Sequence, residues 1–150
     1  MVLGGVYHRH PALRVAYLEA GAGWVPFWMD RLDYEVETHP SEWPHTDLPS
    51  DVIRGGRIYV SCEPEERSLP GVLAMFPASQ ILYASDFPHE IGSDPAAYVE
   101  DLHEFLERDD LAAADKQQIL AGASERLYGL HARAEQRTGR LPLLRATEQR

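Results

Sequence analysis

Cysteine is nearly missing: Cys62 is the only one in 150 residues. A single thiol excludes an intramolecular disulfide framework and any cysteine-rich zinc site. Long apolar runs are missing too, and none approaches the ~18–20 residues of a membrane span. The start, Met-Val-Leu-Gly-Gly-Val-Tyr-His-Arg-His, lacks the charged opening and apolar stretch of a signal peptide. Positive charge is scarce, with 14 Lys+Arg against 24 Asp+Glu and a net charge of −10. Such a chain repels phosphate backbones, so no nucleic-acid partner is expected. The P-loop, the dinucleotide fingerprint and the serine-nucleophile elbow are absent. Gly21-Ala-Gly23 runs into Trp24-Val-Pro26 without a third glycine. These absences lead to the expectation of a cytoplasmic protein with no membrane partner.

What is there is an alternation. Hydrophobic residues make up 44% of the chain and charged residues 25%, so a core is affordable without staples. Three short runs rich in strand formers stand at about 14–19, 57–62 and 80–85. A helical pattern follows each. Phe27, Trp28, Leu32 and Val36 recur at near-helical spacing behind Pro26. Leu69 to Phe76 is a short apolar helix closed by Pro77. Pro95 opens a longer helix to about Glu107, and a last one runs from about Ala113 to Tyr128, closed by Gly129. Residues 38–50, with Pro40, Pro44 and Pro49, read as an irregular connection with one short helical turn. Strands alternating with helices predict βα units and a parallel sheet. The chain divides into a domain over 1–130 and a polar, flexible tail over 131–150. The tail carries five Arg and two Glu, which leaves 9 basic and 22 acidic residues in the body.

Each carboxylate of interest follows the C-terminal end of a strand, the edge where parallel α/β folds build sites. Asp86, in Tyr83-Ala-Ser-Asp-Phe-Pro-His89, can bind a metal or accept a proton, or it caps the next turn. Glu19 precedes a glycine-rich turn that lets backbone approach a ligand closely. Glu63 ends the second strand, and His89 sits three residues after Asp86. The three carboxylates converge, or they spread along an open edge; the strand order decides. His8 and His10 share a face at i and i+2, but they precede the first strand and so lie at the opposite edge, as an exposed helix end. His39 and His45 belong to the proline-rich connection, and His103 and His131 read as surface. Cys62 reads as buried and inert.

Taken together, several segments resemble a known family. They are Gly5 to Pro26 with its Leu-Glu-Ala-Gly-Ala-Gly-Trp core, Arg57-Ile-Tyr-Val-Ser-Cys-Glu63, Ile81-Leu-Tyr-Ala-Ser-Asp-Phe-Pro-His89 and Ile119–Leu130. In this order they resemble the later portion of the amidohydrolase-related family. The resemblance implies the C-terminal portion of a (β/α)8 barrel holding a divalent metal, commonly zinc. It implies hydrolysis or non-oxidative decarboxylation of a small organic substrate. Asp86 looks like the family's metal-binding aspartate, while Glu19 falls where many members place a histidine. Glu19, Glu63 and His89 would line the substrate pocket. The family's paired metal histidines come from strands this chain does not supply. The resemblance therefore also allows a non-catalytic remnant or a split subunit. Its apolar strands would need cover from self-association or from a complementing N-terminal chain.

Overall fold

A computed structural model of the chain describes residues 1–85, 89 and 95–130. The tail over 131–150 and Asp86 lie outside them. The first helical turn, α1 (Val6–Arg9), precedes strand β1 (Val15–Tyr17). Helix α2 (Val25–Thr38) follows with Pro26 in its first turn, where a missing N–H costs nothing. A 3-10 turn over Pro40–Glu42 leads to α3 (Pro49–Arg54) and then to β2 (Ile58–Cys62). Helix α4 (Leu69–Leu73) and a 3-10 turn over Ala78–Gln80 precede β3 (Ile81–Tyr83). The long helix α5 (Pro95–Glu107) comes next. Helices α6 (Ala113–Gln117) and α7 (Ala123–Tyr128) run on through a π-helical turn at Gln118–Gly122. Gly129 then ends the helix in the left-handed conformation.

The three strands are parallel and lie in chain order, β1-β2-β3, with Tyr17 opposite Val60 and Val60 opposite Ile81. This is the α/β arrangement expected of a barrel segment, with a helix in each crossover. Helix α3 departs from the expectation, since residues 51–54 continue from the proline-rich connection as a helix. Its signals are local: Pro49 at the first position, Asp51 in the first turn and Gly55 at the end. Asp33 of α2 supplies the missing cap, accepting the Ser50 N–H at 2.8 Å.

Alternation along the strands sorts side chains onto two faces. Ile58, Val60, Cys62 and Ile81 join Val25, Met29, Leu69, Val72 and Phe105 in the main core under the helices. Tyr59 and Leu82 point the other way, and Ala123 buries them, with Ala16 and Leu127 alongside. Helix α7 thus covers the face that would look into a barrel. At its far end Arg14 donates from Nη1 to the Arg126 and Leu127 carbonyls at 2.8 and 3.2 Å. The helix therefore crosses the sheet from β3 toward the start of β1.

Gln80 is the polar residue this core depends on. It is 2% exposed. Its amide N–H groups donate to the Ile53 and Ile58 carbonyls, and its Oε1 accepts the Gly56 N–H at 3.2 Å. One side chain thereby closes the end of α3 and the start of β2 from beneath β3. Gln80→Leu leaves the buried Ile53 and Ile58 carbonyls without this partner, while the exposed Gly56 N–H can turn to water, and is expected to destabilise the fold by about 1–3 kcal/mol for each buried group it strands. Urea denaturation checks it, with an unchanged slope showing that only stability moved.

Candidate functional site at the strand ends

The C-terminal edge of the sheet is built from the loops after β1 and β2. Glu19 lies two residues beyond β1, exposed, with φ +59. A glutamate in the left-handed region costs roughly 1–2 kcal/mol and persists only where its surroundings hold it. Here the holder is Ser61, 3% exposed, whose hydroxyl accepts the Glu19 N–H at 3.0 Å. Glu63 follows β2 directly and is also exposed. The register pairing Tyr17 with Val60 brings Glu19 and Glu63 out on adjacent strand ends at one edge. Two of the sequence-derived candidates are therefore neighbours. His89 is exposed, and Asp86 falls outside the described residues.

Glu66 is the residue that sequence reading passed over. Its carboxylate accepts the Ala22 N–H at 3.0 Å, the Gly23 N–H at 2.7 Å and the Ser68 hydroxyl at 2.7 Å. These amides stand just before α2, where a negative charge also meets the helix dipole favourably. Gly23 makes the approach possible, since a Cβ there would sit 2.7 Å from the Ser68 Oγ and 3.2 Å from a Glu66 carboxylate oxygen. Gly21, at φ +63, takes the left-handed conformation that turns the loop. The Trp24 indole donates to the Gly21 carbonyl at 2.9 Å and completes the turn. From the other side Arg108 donates to the Pro64 and Glu66 carbonyls at 2.9 and 3.0 Å, and forks onto Asp110 at 2.9 and 2.8 Å. That fork holds the Asp110 carboxyl below its usual range. The β1–α2 and β2–α4 loops are thus tied together through one carboxylate. The only sequence signal for it is the run Glu63-Pro-Glu-Glu66 facing a glycine-rich loop.

No group of three His, Cys, Asp or Glu side chains among the described residues is placed to hold a metal ion. Glu19 and Glu63 alone do not make a metal centre. Cys62 is no nucleophile either, since burial pushes its thiol up to about 12.

The histidines near the N-terminus behave differently from expectation. His8 is not an exposed helix end. It stacks on His45 with ring centroids 3.5 Å apart and 4° between planes, and the edge of Trp43 meets both rings. Its Nε2 hydrogen-bonds the Asp47 carboxylate at 3.0 and 3.1 Å. The cluster clips α1 to the proline-rich connection. It precedes β1, away from the edge that carries Glu19 and Glu63.

A family model described as Amidohydrolase matches residues 1–130. Solved structures with the same fold include an amidohydrolase from Mycobacterium avium subsp. paratuberculosis K-10, at 26% identity and TM-score 0.67, covering 85% of this chain and 31% of that one. A 4-oxalomesaconate hydratase from Rhodopseudomonas palustris matches at 21% identity and TM-score 0.65, over 92% of this chain and 42% of that one. A dihydroxybenzoic acid decarboxylase from Polaromonas sp. JS666, solved with manganese and 2-nitroresorcinol, matches at 18% and 0.63, over 87% and 38%. The chain thus spans less than half the length of these structures. No curated protein matches it.

Two substitutions check the geometry. Glu66→Ala strands the N–H of Ala22, which is 0% exposed, and is expected to cost about 1–3 kcal/mol and to raise amide exchange in the 20–24 loop. At Asp47, partial burial acts to raise the carboxyl, but the His8 hydrogen bond, a backbone hydrogen bond and the nearby His8 and His45 rings together outweigh it, so the group sits below the usual carboxylate range. A depressed folded value gives stability that is complete above the unfolded pKa and is lost as pH falls through the folded one. Asp47→Asn is therefore expected to lower stability near neutral pH and to remove part of the acid sensitivity. Thermal melts from about pH 7 down to about pH 3 read both effects.

Proposed function

Because this chain belongs to the amidohydrolase family over residues 1–130, we propose that it supplies the last three βα units of a metal-assisted enzyme. The reaction is hydrolysis or non-oxidative decarboxylation of a small organic substrate. Asp86 is the metal-binding and proton-accepting carboxylate, and Glu19, Glu63 and His89 line the substrate pocket. The observation that carries this reading is the emergence of Glu19 and Glu63 on one edge of three parallel strands, where such folds build sites. The left-handed backbone at Glu19 supports it, because strain held in place by neighbouring groups gathers at functional positions. Manganese in the Polaromonas decarboxylase supports a divalent cation, with zinc the alternative metal for the family.

A second reading starts from the outer edge of β1, which pairs with no strand among the described residues. In it the chain needs a complementing N-terminal partner before it can hold metal or turn over substrate. Catalytic metal sites need about three protein ligands plus an open position. This chain offers Asp86, with Glu19 and Glu63 as further candidate oxygen donors.

Calorimetric titration of the 150-residue chain with manganese and zinc separates the two readings. Weak or no binding is expected from the chain alone. Tight stoichiometric binding that disappears in Asp86→Asn would show a self-sufficient metalloenzyme. In a complemented, active assembly Asp86→Asn is expected to keep the fold and abolish turnover, because an amide neither accepts the proton nor presents a full negative charge. Activity surviving that substitution would remove Asp86 from the proposed role.

A further inference from the structure

Helix α2 has two faces of different character. Val25, Met29 and Val36 turn one side into the core. At ~100° per residue, Phe27 and Tyr34 stand roughly 140–180° around from those three, on the side that points away from the sheet. They are 65% and 56% exposed. Their exposure does not depend on the open flank beside β1. The α2 residues that line that flank are Trp24, Val25, Trp28 and Leu32, and neither Phe27 nor Tyr34 is among them. A strand and helix added beside β1 would cover the first set and leave Phe27 and Tyr34 in water, because the helices of such folds form an outer ring. Exposed aromatics gathered on an outer face mark a site of association.

Phe27, Asp30, Arg31 and Tyr34 are all exposed, and their i, i+3, i+4, i+7 spacing makes one stripe along the helix. The stripe is complementary to itself. Its aromatic pair and its charge pair are centred on the same point, between Asp30 and Arg31. A copy laid antiparallel about a two-fold axis through that point puts Asp30 opposite Arg31 of the second copy, and Phe27 opposite its Tyr34, each contact made twice. We propose that α2 is a homodimerisation helix that packs through this stripe on α2 of a second copy of the chain. Charge selects this occupant, since opposite signs meet at both positions nearest the axis only in the antiparallel self-pairing. The side chains are also held in advance. The Arg31 guanidinium lies 5.3 Å from the centre of the Tyr34 ring, and its Nη2 is 3.1 Å from the Glu35 carboxylate. The Phe27 ring meets that of Trp28 edge-on, with centroids 5.9 Å apart. Ordering these groups at an interface therefore costs less rotamer freedom, and aromatics with arginine are the residues that anchor interfaces. One helix pair buries little area, so the dimer is a weak one.

The test is sedimentation equilibrium of the full chain over a concentration series, where a reversible monomer–dimer equilibrium is expected. Asp30→Arg and Arg31→Asp each set like charges against each other across the axis, and each is expected to weaken association at least tenfold. Neither touches the core, and the Arg31–Glu35 pair that the second one removes is exposed on both sides and contributes little to stability. Mixing the two variants in equal amounts is expected to restore association as a heterodimer, because every pair across the axis is then opposite in charge. Asp30→Arg/Arg31→Asp in one chain is expected to restore the homodimer for the same reason. A chain that stays monomeric at every concentration would overturn the proposal. A dimer that both single variants leave intact would place the contact elsewhere, at the edge of β1 for instance, and overturn it too. Loss of association in the single variants that neither the mixture nor the double substitution restores would do the same.

Discussion

Strand β2 is buried at every one of its five positions, and that single fact constrains the rest. A parallel strand buried on both faces needs cover above and below, and with the strands in chain order the right-handed crossovers put their helices on one face only. One cover is the helical layer of α2, α4 and α5 over Val60 and Cys62. The other is α7, whose Ala123 sits on Tyr59 and Leu82. A complete barrel would bury the second face with strands. Here a helix does it, and Arg14 fixes the end of that helix under β1. The small residue matters, because Ala123 lets the helix backbone come close to the aromatic ring of Tyr59.

The polar contacts divide by edge. On the N-terminal side Gln80 satisfies backbone groups that burial would otherwise leave unpaired. His8, Trp43, His45 and Asp47 clip the first helical turn to the proline-rich connection. These contacts hold the chain together. On the C-terminal side Glu66, Ser61 and Arg108 hold loop backbone, and Glu66 and Arg108 also take Ser68 and Asp110 as side-chain partners. The side chains of Glu19 and Glu63 are left exposed. Stability at one edge and available chemistry at the other is the division expected of parallel α/β architecture.

Much of this was legible in the sequence, for identifiable reasons. The three strands are short runs of Val, Ile, Tyr and Leu bounded by Gly, Pro and charge. Their parallel pairing followed from the helices between them, and α5 was marked at its start by Pro95. Helix α3 escaped because a dense set of prolines masks a helix that begins at the last of them. The His8 cluster escaped because its partners, His45 and Asp47, lie 37 and 39 positions away, and no periodicity links residues that meet only in space. Glu66 escaped for the same reason. Its role depends on amides of a loop more than 40 residues earlier, and a backbone N–H leaves no trace in a sequence.

The Glu66 clamp also explains why a glycine-rich loop that follows a strand and opens a helix need not bind phosphate. Amides at a helix start attract an anion whatever its source. In this chain the anion is supplied internally, and the Ser68 hydroxyl reinforces it. An occupied set of donors is no longer a ligand site; it is a rivet between the two loops that carry Glu19 and Glu63. Rigid loops matter for those two residues in particular. Glu19 is held in a backbone conformation it would leave if Ser61 or the Gly21 turn let go. The position of its carboxylate is therefore set by contacts that Glu19 itself does not make, and through Glu66 those contacts reach to Arg108 at the end of α5.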